Sequence, residues 1–185
     1  MELSQDERLY DAQSLTADFL TEHIDSAFTV WQQNWNKQYS FEMFCRYVLP
    51  YRIGNEKTSL WRKTFTVPSW VREAYAPNQD NSTYAYGMAN DILGGMRSVI
   101  YYPPQFLPDL PLTALEHVKS ASCKEYAHLC VAVLRAHGLP ATIDFTPQWG
   151  NRGLGHEWCV FFPDNHSFIP FNPGERLGAV SYTHL

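Results

Sequence analysis

Residues 120–141, SASCKEYAHLCVAVLRAHGLPA, decide the fold. Ser122 and Glu125 stand in the capping-box arrangement, a hydroxyl residue followed three places on by a carboxylate. The helix so opened runs from Cys123 to about His137, where Gly138 supplies a stop and Pro140 prevents continuation. Tyr126, Ala127, Leu129, Cys130, Val131, Ala132, Val133 and Leu134 leave it little polar surface, so the helix is expected to be central and buried.

Three strands are expected to follow. Thr142 to Thr146 is the first, and His156 to Phe162 the second, bulky and largely apolar on both faces. A turn at Pro163-Asp164-Asn165-His166 leads to the third, Ser167 to Asn172. One buried helix followed by sequential antiparallel strands predicts an α+β fold.

Working outward, the N-terminal half reads as helical. Leu20, Ile24, Ala27, Phe28, Trp31 and Trp35 make one apolar face of a helix over 15–35. Ser40 can cap a short helix carrying Phe41, Phe44, Cys45 and Val48, which Pro50 stops. Residues 51–65 mix charge and aromatics (Arg52, Glu56, Trp61, Arg62) and are expected to be helical with surface contacts. A polar loop is expected over 76–83, then a helix from Tyr84 to Ile100, weakened at Gly94 and Gly95 by about 1 kcal/mol each. Prolines at 103, 104, 108 and 111 impose an extended connector. The expected organisation is a helical region, 1–100, packing on a core, 101–185, within one compact domain.

Composition excludes several classes. Hydrophobic residues make up 45% of the 185 and charged residues 18%, a globular balance with enough chain for one core. A net charge of -5 argues against nucleic acid or an anionic membrane as partner. No run approaches the roughly 18 apolar residues of a membrane span. Met1 to Tyr10 has no apolar signal region, so nothing here shows export, and the compartment and oligomeric state stay open. No cofactor or metal is predicted. The cysteines at 45, 123, 130 and 159 include no Cys-x-x-Cys pair, which suits neither a zinc site nor a disulfide framework.

Cys123 carries the chemistry. A thiol in the first turn of a helix sits among backbone N–H groups without helical acceptors, at the positive end of the dipole. Both favour thiolate over thiol. The N–H of Cys123 can itself donate to an oxyanion, and Lys124 adds positive potential. Cys45, Cys130 and Cys159 read as packing residues. Cys130 shares the face of Cys123 but lies about 10 Å along the axis, too far for a disulfide.

His156 is the candidate base. It follows Gly150, Gly153 and Gly155 at the mouth of a strand, where an imidazole can face a cleft and exchange a proton with a thiol. His23, His117, His137, His166 and His184 read as structural or exposed, and His128 lies five residues beyond Cys123, on another side of the helix. Two residues compete to orient His156: Asn172 and Asp144. Across a three-residue turn at 163–165, residues whose numbers sum to 328 pair, which places His156 opposite Asn172. A two-residue turn at 164–165 pairs His156 with Pro173 instead and sends Asn172 to the other face.

At these residues the chain resembles the transglutaminase-like superfamily, over about residues 110–174. SASCKEYAHLCVAVLRAHGLPA resembles its nucleophile helix with the Arg-Ala-x-Gly-x-Pro-Ala ending, WGNRGLGHEWCVFF (149–162) its Gly-His-x-Trp strand, and SFIPFNPGE (167–175) its aromatic, x, Pro-Phe-Asp-Pro strand. The resemblance implies a papain-like, transglutaminase-like core, with the nucleophile helix packed on an antiparallel sheet. It implies a catalytic triad in which Cys123 is nucleophile, His156 general base and acid, and Asn172 occupies the usual aspartate position. Asn there matches the papain-type Cys-His-Asn arrangement, and is also compatible with weakened activity. Gln148, Trp149 and Trp158 are candidates for substrate contact. The implied function is a cysteine hydrolase, protease or amidase, cleaving peptide or amide bonds through a thioester acyl-enzyme. The alternatives are an inactive binding or structural module and a protein cross-linking transglutaminase. LPYRIGNEKTSLWR (49–62) resembles sequences preceding such domains in gut Bacteroidetes proteins. Ser181-Tyr182-Thr183-His184-Leu185 resembles translated sequencing adapter on a metagenomic fragment, so the natural protein is expected to continue beyond about residue 179, leaving the core truncated.

Overall fold

The computed structural model describes residues 11–33, 36–65, 81–96, 100–101, 111–115, 117, 120–148, 155–175 and 177. Its elements, in chain order, are α1 (Asp11–Ser14), α2 (Ala17–Trp31), α3 (Phe41–Tyr47), α4 (Trp61–Thr64), α5 (Asn81–Met96), β1 (Ile100–Tyr101), α6 (Leu112–Leu115), β2 (Ser120–Ala121), α7 (Cys123–Ala136), β3 (Ala141–Thr146), β4 (His156–Phe161) and β5 (Ile169–Phe171). The architecture is α+β: helices around α7, and a three-stranded antiparallel sheet in the order β3-β4-β5.

Helix α7 forms as its sequence dictates. Ser122 is extended at the N-cap, and its hydroxyl accepts from the Glu125 N–H at 3.3 Å. The Glu125 carboxylate accepts from the Ser122 N–H at 2.8 Å, completing the capping box. At the other end Gly138 takes φ 77°, and a side chain there would also collide with the Asn36 amide. Every residue from Tyr126 to Ala136 is buried. Val131, Leu134 and Leu139 each contribute roughly 1.5–3 kcal/mol by leaving water.

The core around α7 draws on both halves of the chain: Trp61 and Phe65, then Ala85, Met88, Ala89, Ile92 and Leu93 of α5, with Cys159, Phe161 and Phe171 of the sheet. A smaller cluster joins α2 to α3 through Ala27, Phe44 and Val48, where the Trp31 and Phe44 rings stack at 4.7 Å. Helix α2 is shorter than the 15–35 expected, starting behind a Thr16 cap. Trp35 lies outside the described residues, as do the connector prolines 103, 104 and 108.

Residues 51–65 depart from expectation. Only Trp61–Thr64 is helical. The Glu56 carboxylate instead turns back to accept from the N–H groups of Ile53 and Gly54, at 2.8 and 2.7 Å, folding 53–56 into a local loop. Nor do Glu56 and Arg62 lie at the surface, since both are buried. Arg62 donates to the carbonyls of Val48, Pro50 and Arg135, and Arg135 to those of Ala141 and Arg52. These two guanidinium groups fasten the 48–52 segment to the end of α7 and the start of β3.

The register of the last hairpin also differs. Cys159 faces Phe171, Val160 faces Pro170 and Phe161 faces Ile169, a sum of 330 rather than 328. The connection is the seven-residue segment 162–168, not a three-residue turn. Asp164 accepts from the N–H groups of His166 and Ser167, both at 2.7 Å, and Asn165 leaves the hairpin to bond Ser40 N–H and Gln38 C=O. Because the shift is two residues, His156 and Asn172 keep a common face, as diagonal rather than direct partners.

Candidate active site

Three of the predicted site residues sit at one end of the helix–sheet layer. Cys123 is the first residue of α7 and is half-buried. Helix α7 runs opposite to β4. Arg135 bonds Ala141, the cross-strand partner of Phe161; Ala127 O lies 3.5 Å from Cys159 Sγ; and His128 reaches Glu157. The N-terminus of α7 therefore lies toward the beginning of β4, where His156 is the first strand residue.

His156 pairs across the sheet with Thr146. Its Nε2 is 3.4 Å from Asn172 Oδ1, while Asn172 Nδ2 donates to Glu175 Oε2 at 3.3 Å. The Glu175 carboxylate accepts only, so it fixes the amide with its oxygen toward the imidazole. Trp158 lies on the same face, its ring stacked near the imidazole with centroids 6.1 Å apart and planes 29° apart. Alternation turns Glu157, Cys159 and Phe161 to the opposite face, the one packed on α7.

Asp144 shares the face of His156, since it pairs with Trp158, but it is exposed and its Oδ1 accepts from the Phe145 N–H at 2.9 Å. Of the two candidate orienters, it is Asn172 that meets the imidazole. Gln148 is exposed, and its carbonyl accepts from the Thr146 hydroxyl at 2.9 Å. Trp149 lies outside the described residues. Phe145, 66% exposed, stands on β3 one residue from the partner of His156.

The other cysteines occupy different environments. Cys130 and Cys159 are buried, and burial together with the neighbouring Cys130 pushes the Cys159 thiol well up, which keeps it protonated and inert. Cys45 is half-buried in α3.

Sequence reasoning placed His128 away from the site and overlooked what surrounds it. His128 is buried in α7 between two carboxylates: Nδ1 is 3.5 Å from Glu56 Oε2, and Nε2 is 3.1 Å from Glu157 Oε2. Its ring lies over Gly54, where any Cβ would fall 2.3 Å from His128 Cε1. Burial alone pushes Glu56 up, but the hydrogen bonds from His128 and from the N–H groups of Ile53 and Gly54 outweigh it and hold the carboxyl at about 2. The available signal was an ionisable residue inside the otherwise apolar middle of the helix, 126–134.

A buried helix that begins at Cys123 behind a Ser122 cap, packed on a sheet bearing a His–Asn pair, defines a class that the sequence comparison identifies. The sequence pattern of the transglutaminase-like superfamily matches residues 68–173, more than half of the chain, and the protein belongs to that family. A structural comparison matches a Cytophaga hutchinsonii protein provisionally described as a cysteine protease, at 14% identity and a TM-score of 0.43. The match covers 91% of this chain and 46% of that protein, so this chain spans less than half its length. No curated protein matches significantly. No helix among the described residues is long and apolar enough to cross a membrane.

Proposed function

We propose that the protein is a cysteine hydrolase that cleaves peptide or amide bonds, with Cys123 as nucleophile, His156 as general base and acid, and Asn172 as the residue that positions the imidazole. The observation that carries this reading is the His156–Asn172 hydrogen bond at the end of the sheet toward which the capped, thiol-bearing helix points. With Nε2 turned to Asn172, Nδ1 is the nitrogen that serves the thiol. We assign substrate contacts to Trp158, Gln148 and Trp149, and treat residues 1–100 as a helical region supporting the catalytic core.

The reaction follows from these roles. His156 takes the Cys123 thiol proton, the sulfur attacks the substrate carbonyl carbon, and the oxyanion accepts from the Cys123 N–H, an amide that a helix start leaves without an internal acceptor. The tetrahedral adduct collapses with cleavage of the C–N bond, and the leaving amine takes a proton from His156. Water then attacks the thioester while His156 removes its proton. The second adduct collapses with cleavage of the C–S bond, the sulfur takes the proton back from His156, and the carboxylic acid departs.

Digestion of a peptide library with and without an added primary amine, by wild type and Cys123→Ala, tests this reading. Cleavage lost in the variant supports the hydrolase. Incorporation of the amine supports a cross-linking enzyme, and no turnover by wild type with any peptide supports a non-catalytic module.

A further inference from the structure

We infer that His128 is a positioning residue, a buried bridge between Glu56 and Glu157 that fixes the start of β4, and so His156, against the nucleophile helix. The inference rests on the functional reading of Cys123 and His156 above.

The geometry carries it. His128 is one and a half turns into the Cys123 helix, and Glu157 is the residue after His156. Both ring nitrogens face a carboxylate oxygen, Nδ1 at 3.5 Å and Nε2 at 3.1 Å. Each ring nitrogen is thus committed to a carboxylate from a different segment, Glu56 from the 53–56 loop and Glu157 from β4. The side chains of His128 and Glu56 are 7% and 6% exposed, so water does not replace a lost partner there. Glu157 is 27% exposed, on the α7 side of the sheet.

Two cations among the described residues act on Glu56, one from outside α7 and one from within it. Arg52, next to the 53–56 loop, donates to the Glu56 carbonyl, and Arg135 of α7 adds positive potential toward Glu56. Gly54 packs directly under the ring and excludes any side chain. The bridge thus ties three segments: the 53–56 loop, the middle of α7, and the second residue of β4. Alternation along β4 sends Glu157 to the helix side and His156 to the other, so anchoring Glu157 sets where the imidazole projects. Loss of the imidazole removes both contacts, and the coupling between α7 and β4 slackens.

The experiment measures the rate of Cys123 alkylation by iodoacetamide from pH 5 to 9, site by site by peptide mass spectrometry. It uses the full chain as wild type, His128→Gln and Glu157→Gln, with Cys45 as the internal reference. We expect an about tenfold loss of the Cys123 rate in both variants near neutral pH, an altered pH profile, and an unchanged Cys45 rate. Identical profiles in the three proteins overturn the inference. If wild-type Cys123 reacts no faster than Cys45, the catalytic reading itself fails, so the two failures are distinguishable. Should the variants not fold, nitrogen-15 NMR of the wild-type chain decides. The His128 ring, assigned through its contacts with Gly54, must show nuclear Overhauser contacts to both Glu56 and Glu157, and their absence overturns the bridge.

Discussion

His156 and Asn172 meet as diagonal neighbours across the β4–β5 pair, Nε2 to Oδ1 at 3.4 Å, with Asn172 held from behind by Glu175 at 3.3 Å. The three side chains form a chain in which each fixes the next. Asn172→Ala should lower kcat about 100-fold, the lower end of what general acid–base catalysis supplies, with KM little changed. Steady-state kinetics on the best library peptide checks it.

The same chain predicts that aspartate is not a free improvement at this position. Asn172→Asp places a second carboxylate against Glu175, and like charges that close disfavour joint ionisation. The single variant should be less active than Asn172→Asp/Glu175→Gln. Equal activity of the two in matched assays would argue that Glu175 does not reach residue 172.

Glu56 predicts an acid limb in stability. Its folded value is about 2 against an ordinary 4.5, so between those limits the unfolded chain binds the additional proton. Stability contributed by this carboxylate is complete above about pH 4.5 and is lost as pH falls toward 2. The contribution is on the order of 3 kcal/mol. Urea midpoints measured from pH 2 to 5 should fall steeply for wild type and less steeply for Glu56→Gln.

Arg62 is buried, and its guanidinium serves the carbonyls of Val48, Pro50 and Arg135. Arg62→Ala leaves three acceptors without that donor and should cost about 3–5 kcal/mol. A urea midpoint within error of wild type would show that these carbonyls find other donors.

Gly138→Ala tests the end of the nucleophile helix. At φ 77° an alanine is strained by about 1–2 kcal/mol, before any contact is counted. Its Cβ would also fall 2.0 Å from Asn36 Nδ2, displacing an amide that bonds Val30 and His137 carbonyls. The expected total is a loss of at least about 2 kcal/mol in chemical denaturation.

What the sequence made legible was local. Ser122, Glu125 and Gly138 specify both ends of α7 within a few residues, and alternating bulky residues mark β3, β4 and β5. The class of fold follows from those elements. The hairpin register was not legible, because it depends on Asn165 bonding residues 38 and 40, far away in the chain. Residues 51–60 misled for a related reason: Glu56 spends its carboxylate on two backbone N–H groups and on His128 rather than on a helix surface. The shared face of His156 and Asn172 survived the wrong register only because the error was an even number of residues. Cys123 was legible as a helix start, whereas the His128 bridge needed three segments brought together.

Cys123 is the centre of the account, and the rate of its alkylation relative to Cys45 at pH 6.5, in wild type and in His156→Ala, tests that most directly. Wild-type Cys123 should outpace Cys45 at least about tenfold, as expected of a nucleophile served by a neighbouring base, and His156→Ala should remove the difference. Equal rates for the two cysteines in folded wild-type protein would contradict it.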